Sequence, residues 1–128
     1  MNIPVLIVAS ITLLATIAHV IGGTRETASL APPSDDTTRT PHWVQAMCAF
    51  QMLTVDLLAV SLALFAIALW DMGPHEAAFI TGFGLLYLAW AVAWVIQLRW
   101  LNRASASLLR LPHWTVWLLC AALLLIGG

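Results

Sequence analysis

The sequence has no lysine, a single tyrosine and little charge of either sign, with five arginines and six carboxylates among 128 residues. Charged residues are 9% of the chain, against about 25% in an ordinary soluble domain. Because 62% of the residues are hydrophobic, a water-soluble fold of this length could not cover its own apolar surface. The formal net charge of -1 gives no electrostatic reason to expect a nucleic-acid partner. The two cysteines, Cys48 and Cys120, lie in different apolar runs without CxxC or zinc-type spacing, so they read as reduced thiols and not as a disulfide framework. The opening Met-Asn-Ile-Pro lacks the basic region of a secretory signal, and no clear small-x-small cleavage site follows. The first apolar run therefore reads as a retained helix.

What the chain does have is apolar residues in long runs instead of periodic stripes. They predict an all-α polytopic membrane protein, a single transmembrane domain over residues 1–128. Its four transmembrane helices fall at about 3–22, 44–70, 77–98 and 112–127, packed as an antiparallel up-down bundle. Residues 23–43 carry Pro32, Pro33, a Ser-Asp-Asp-Thr-Thr run and Pro41, and read as a polar loop. Thr40-Pro41 and Trp43 mark the start of the second helix at the membrane interface. The short Met72-Gly73-Pro74-His75-Glu76 connection makes helices two and three antiparallel neighbours. Over residues 99–111, Trp100, Ala104, Leu108 and Leu111 fall opposite Arg103, Ser107 and Arg110. This is the pattern of a short interfacial helix, with an extended loop as the alternative. Arg25, Arg39, Arg99, Arg103 and Arg110 all lie in the first and third loops, which predicts a bacterial inner-membrane protein with those loops cytoplasmic and both termini periplasmic.

Inside the predicted spans the one carboxylate is Asp56. Taking an ionised acid into hydrocarbon is costly, so it needs a partner, a proton or a task. Counting roughly 1.5 Å per residue puts Asp56 near mid-membrane, at the depth of Tyr87, Ser10 and Thr12, the groups able to hydrogen-bond it. Asp56 is then either a proton- or cation-binding site or a neutral acid that ties helices together. Gln45, Cys48, Met52, Asp56, Ala59 and Ala63 share one stripe of helix two, while Gln51, Thr54 and Ser61 make a second stripe nearly opposite. Polar and small residues on two faces predict a helix covered on both, either central in the bundle or at an oligomer contact.

His19, late in helix one, lies close in depth to Cys48 and Cys120, which admits a soft metal or haem. The commoner state of such a histidine is hydrogen-bonded near the interface, and no HxxxH or ExxH spacing accompanies it. His42, His75 and His113 stand at helix ends beside Trp or Pro and read as interfacial. On helix three, Phe79, Phe83, Tyr87, Trp90, Trp94 and Gln97 form an aromatic stripe, and Ala78, Gly82, Ala89 and Ala93 a small one suited to helix packing. The aromatic side either meets lipid or walls a pocket for a flat hydrophobic or cationic ligand, with Trp90 and Trp94 at its centre.

The segments Ala18-His19-Val20-Ile21-Gly22-Gly23-Thr24-Arg25 and Phe50-Gln51-Met52-Leu53-Thr54-Val55-Asp56 resemble a group of small four-helix bacterial membrane proteins of uncharacterised activity. The likeness covers mainly the first two helices. It implies the four-helix architecture and no activity, and it leads one to expect a histidine where this chain has Gln51, a departure that counts against a metal or haem site. Small multidrug resistance transporters are similar in length and span count but rely on a glutamate in helix one, and residues 1–22 contain none. The four-helix protoporphyrinogen oxidases also place a histidine late in helix one but are associated with an intramembrane lysine, which is missing here.

These residues support three functional readings, in order. The first is a small proton- or cation-linked transporter or channel-like protein whose site comprises Asp56, Tyr87, Thr12, Ser10, Trp90 and Trp94. The second is an accessory or scaffolding subunit of a larger membrane complex. The third is a haem- or metal-binding protein, or an enzyme, using His19. The partners expected are the lipid bilayer, further copies of the chain or another membrane protein. No cofactor is specified.

Overall fold

The first helix is started by Asn2, whose side-chain Oδ1 accepts a bond from the Val5 N–H at 3.3 Å. Pro4 occupies the first turn, where a missing N–H costs nothing. In a computed structural model, which describes residues 1–101, 108 and 111–127, this helix does not stop at residue 22. It runs as α1 (Ile3–Ala18), widens into a π-helical turn over His19–Gly23, and continues as α2 (Thr24–Ser29). The Thr24 N–H reaches back five residues to the His19 carbonyl, the mark of the wider turn. Gly23, which could have ended the helix in a left-handed conformation, stays right-handed at φ -61°. Helix ends instead at Leu30, just ahead of Pro32-Pro33.

The predicted polar loop is shortened from its other side as well, because α3 (Arg39–Leu69) begins five residues earlier than the apolar run does. Asp36 explains the early start. Its Oδ1 accepts from the N–H groups of Thr38 (3.1 Å) and Arg39 (2.8 Å), and its Oδ2 pairs with Arg39 Nε at 3.4 Å.

The connection after α3 is held by Asp71, whose Oδ1 accepts the Gly73 N–H at 2.7 Å. Gly73 sits at φ +62°, a conformation that costs an L-residue about 1–2 kcal/mol. A short 3-10 turn, Gly73–His75, leads into α4 (Glu76–Leu101), and α5 (His113–Gly127) follows Pro112. Most of the segment predicted as an interfacial helix, 102–107 and 109–110, lies outside the described residues.

Three helical stretches, Ile3–Ser29, Arg39–Leu69 and Gly73–Leu101, are long and apolar enough to cross a membrane. With 15 residues, α5 spans roughly 22 Å as a helix, less than the 30 Å or so of a hydrocarbon core. Among the described residues there are no strands.

Contacts divide the chain into two compact units, one comprising Met1–Val8 with Leu64–Gly128, the other Ala9–Ala63. In the second unit the first helix and α3 run antiparallel. Ser61 Oγ donates to the Ala9 carbonyl at 3.1 Å, His19 Nε2 to the Phe50 carbonyl at 3.0 Å, and Trp43 Nε1 to the Thr27 carbonyl at 3.2 Å. Thr12, Thr16 and Ser61 are buried, and Thr16 Oγ1 bonds back to the Thr12 carbonyl at 2.8 Å.

In the first unit the Asn2 N–H donates to the Ala68 carbonyl at 3.1 Å, and α4 packs antiparallel on α5 along Gly84, Tyr87, Trp90 and Trp94. A Cβ added at Gly84 would come within 2.6 Å of Leu125 Cδ2, so glycine is what permits this approach. The buried face of α4 is thus Ile80, Gly84, Tyr87 and Ala91, and the small stripe expected to pack, Ala78, Gly82, Ala89 and Ala93, is exposed. The reason is volume. The aromatic side chains fill the space against α5 and bury more area than the alanines could.

Outward-facing positions in both units are predominantly apolar: Leu14 and Ile17 on α1, Leu58 and Leu62 on α3, Leu85 and Ile96 on α4, Leu119 on α5. Hydroxyls inside and leucines outside is the arrangement a hydrocarbon solvent selects.

Candidate functional site

Two places in the second unit concentrate polar side chains at membrane depth. The first is where the π-helical turn meets α3. His19 and Phe50 stack with centroids 3.8 Å apart and planes at 17°. A carbonyl can only accept, so His19 Nε2 carries the hydrogen of the bond to Phe50. The Phe50 ring occupies the room left by Gly23, where a Cβ would lie 2.7 Å from Phe50 Cζ. One residue on, Gln51 Nε2 donates to Thr24 Oγ1 at 3.2 Å while its Oε1 accepts from Thr54 Oγ1 at 3.4 Å. Segments 18–25 and 50–56 are therefore laid against each other. The sequence gives His19 an interfacial hydrogen bond or a ligand role and puts Gln51 on a covered face, but names no partner for either. The signal that could have joined them was antiparallel register between the first two helices.

The second place is the opposite side of α3. Asp56 lies thirteen residues from Trp43 and fourteen from Trp70, the two tryptophans that bracket the span. It is exposed, and no hydrogen-bond or ion-pair partner for it is found among the described residues. Gln45, Cys48, Met52 and Ala59, on the same stripe, are exposed too. Of the two faces of this helix expected to be covered, the Gln51–Thr54–Ser61 side meets the first helix, and nothing in the second unit covers the Asp56 side.

The remaining residues singled out from sequence fall as follows. Thr12 is fully buried and hydrogen-bonded, and Ser10 is exposed on α1 but engaged in an interaction of its own. Neither bonds to Asp56. Tyr87, Trp90 and Trp94 belong to the first unit. Tyr87 is fully buried, with Trp90 edge-on at 5.2 Å and Trp117 of α5 at 6.0 Å. Trp90 and Trp117 meet at 5.7 Å. Trp94 donates to the Leu111 carbonyl at 3.3 Å and lies against His113 at 4.8 Å. Of the aromatic stripe, Tyr87, Trp90 and Trp94 are spent on α5, which removes the lipid-facing alternative for Tyr87, whereas Phe79 and Gln97 are exposed. Cys48 and Cys120 are both free thiols, Cys48 exposed and Cys120 buried. Among the described residues no three His, Cys, Asp or Glu side chains converge as a metal would require.

The fold is that of an all-helical protein compatible with life in a membrane: three apolar helices of spanning length, polar groups turned inward, and one mid-span acid turned outward. The chain matches no protein-family model, no curated protein and no solved structure.

Proposed function

We propose that this chain is a four-span protein of the bacterial inner membrane, with the arginine-bearing loops cytoplasmic and both termini periplasmic, that acts as a subunit of a larger membrane assembly. The observation that carries the reading is the outward position of Asp56 at mid-span with no partner among the described residues. A charged acid at a helix centre costs about 2.5–3.5 kcal/mol on insertion scales, and a protein partner offering hydrogen bonds offsets that cost. The His19–Phe50 and Gln51–Thr24 ties support a structural role for the first two helices, since they hold α3 in one rotation and so aim Asp56 away from the first helix.

Proton- or cation-linked transport with Asp56, Tyr87 and Thr12 around one intramolecular site is less well supported, because Asp56 faces outward and Thr12 is bonded elsewhere. Haem or metal binding at His19 would have to use Nδ1, because Nε2 donates to the Phe50 carbonyl, and among the described residues no second and third ligand converge on it.

The test is the mass of the protein extracted in mild detergent. Wild type is expected to migrate as an assembly larger than one chain, and Asp56→Leu as a single chain with unchanged helical circular dichroism. A wild type that is monomeric and free of stoichiometric partners in several mild detergents sinks the proposal.

A further inference from the structure

We infer that the end of the α4–α5 hairpin where α4 closes and α5 opens binds the headgroups of anionic phospholipids, with Arg99 on the phosphate and Trp100 set among the headgroups. Such binding needs nothing of Asp56 and is compatible with a single chain or a subunit. Both helices belong to one unit, so the two sides of this end are described together. Trp94 of α4 donates to the Leu111 carbonyl at 3.3 Å and Trp114 of α5 to the Leu108 carbonyl at 3.1 Å, so two indoles are spent on holding the turn. Trp100 is not. It is 83% exposed and Leu101 77%, in the last turn of α4 beside Arg99, which is exposed and has no ion-pair partner among the described residues. A bare indole and a bare leucine next to a cation at the end of a helix of spanning length match the headgroup layer, where an amphipathic ring is wetted on one side only.

Charge selects the sign of the lipid. From residue 99 to 113 the sequence carries Arg99, Arg103 and Arg110 and no carboxylate, the last two lying outside the described residues and entering as charge alone. The connection at the other end of α4 carries Asp71 and Glu76 and no arginine. In the first loop Arg25 and Arg39 are outnumbered by Glu26, Asp35 and Asp36, and Arg39 is already paired with Asp36 at 3.4 Å. Counting arginines alone makes the first and third loops alike. Net charge separates them, and only the third has positive charge to spare for an anionic surface. A guanidinium takes a phosphate through parallel N–H bonds. A soluble anion would satisfy Arg99 and leave Trp100 and Leu101 in water, whereas a lipid headgroup covers all three.

The probe is phosphatidylglycerol against phosphatidylcholine of the same acyl chains. The full chain is held on an affinity resin in mild detergent micelles containing equal amounts of the two, washed, and its retained lipid quantified by mass spectrometry. Wild type is expected to retain phosphatidylglycerol several-fold over phosphatidylcholine, and less so in salt that shortens the Debye length to about 3 Å. Replacing Arg99, Arg103 and Arg110 together by Gln should bring the ratio close to parity. Arg99→Gln alone should lower it and Arg99→Lys should hold more of it. The pair Arg25→Gln and Arg39→Gln should leave it unchanged.

Parity in wild type, or an equal fall from the first-loop pair, overturns the inference. So does displacement of the lipid by inorganic phosphate at the same concentration, which would make a free anion the ligand. If the triple variant does not accumulate, Arg99→Gln against Arg99→Lys decides, and equal ratios in those two overturn it. The native mass of the chain bears on the subunit reading alone.

Discussion

His19 is bound to Phe50 twice over, by ring stacking at 3.8 Å and by a 3.0 Å hydrogen bond from its Nε2 to the Phe50 carbonyl oxygen. The two contacts can be separated by substitution. His19→Phe keeps a ring on the ring and deletes the bond, and is expected to cost about 0.5–1.5 kcal/mol. His19→Ala deletes both, adding the loss of an aromatic pair worth about 0.5–1.5 kcal/mol beyond its burial. Equilibrium unfolding of the detergent-solubilised protein reads the difference. Equal stability of His19→Ala and wild type would remove the pair from the account of how α3 is oriented.

The adjacent glycines give an internally controlled prediction. A methyl at Gly23 would sit 2.7 Å from Phe50 Cζ, whereas one at Gly22 would meet nothing within 4 Å. Gly23→Ala should therefore destabilise by about 1–3 kcal/mol through displacement of the Phe50 ring. Gly22→Ala should be neutral or slightly stabilising, as alanine is the better helix former by about 1 kcal/mol. The reverse order would mean that Phe50 does not fill the space beside Gly23.

On α4 the same contrast separates the buried face from the exposed one. Gly84→Ala brings a methyl to 2.6 Å of Leu125 Cδ2 and 2.7 Å of its Cγ, so the Leu125 side chain must move aside or α5 shift, with a cost of about 1–3 kcal/mol. Gly82→Ala has open space and should leave the unfolding midpoint unchanged or raise it.

Tyr87 is the largest fully buried side chain and has Trp90 and Trp117 around it. Tyr87→Ala should cost about 3–5 kcal/mol, the range for emptying an aromatic site. Tyr87→Phe keeps the ring in place and should cost about 1 kcal/mol, the value of one hydrogen bond. Similar losses in both would shift the weight from packing to the hydroxyl.

Orientation is checked by labelling. In a chain with Cys48→Ser and Cys120→Ala, a cysteine at His75 or Gly127 should react with a membrane-impermeant maleimide in intact cells. A cysteine at Ser34 should react only after lysis. Labelling of Ser34→Cys in intact cells would invert the topology.

The all-helical class and the three helices of spanning length were legible in the sequence because they depend on composition along the chain: long apolar runs and scarce charge. Helix limits were less so. Asp36 starts α3 and Gly23 fails to end the first helix through bonds and backbone angles that no hydropathy window registers. Likewise, a π-helical turn is paid for by the packing it permits, here the Phe50 ring beside Gly23, and has no periodicity of its own to announce it.

By itself the sequence determined that an acid lies midway between Trp43 and Trp70, and that Gln51 and Asp56 fall on different faces of one helix. Which face turns inward was decided by the tertiary structure. The Ser61, Phe50, Gln51 and Trp43 bonds lock α3 against the first helix. On α4 the bulk of Tyr87 and Trp90 outcompetes the small stripe for contact with α5. A helix pattern specifies angles about its own axis, and only the neighbours that fill those angles specify its rotation in the protein.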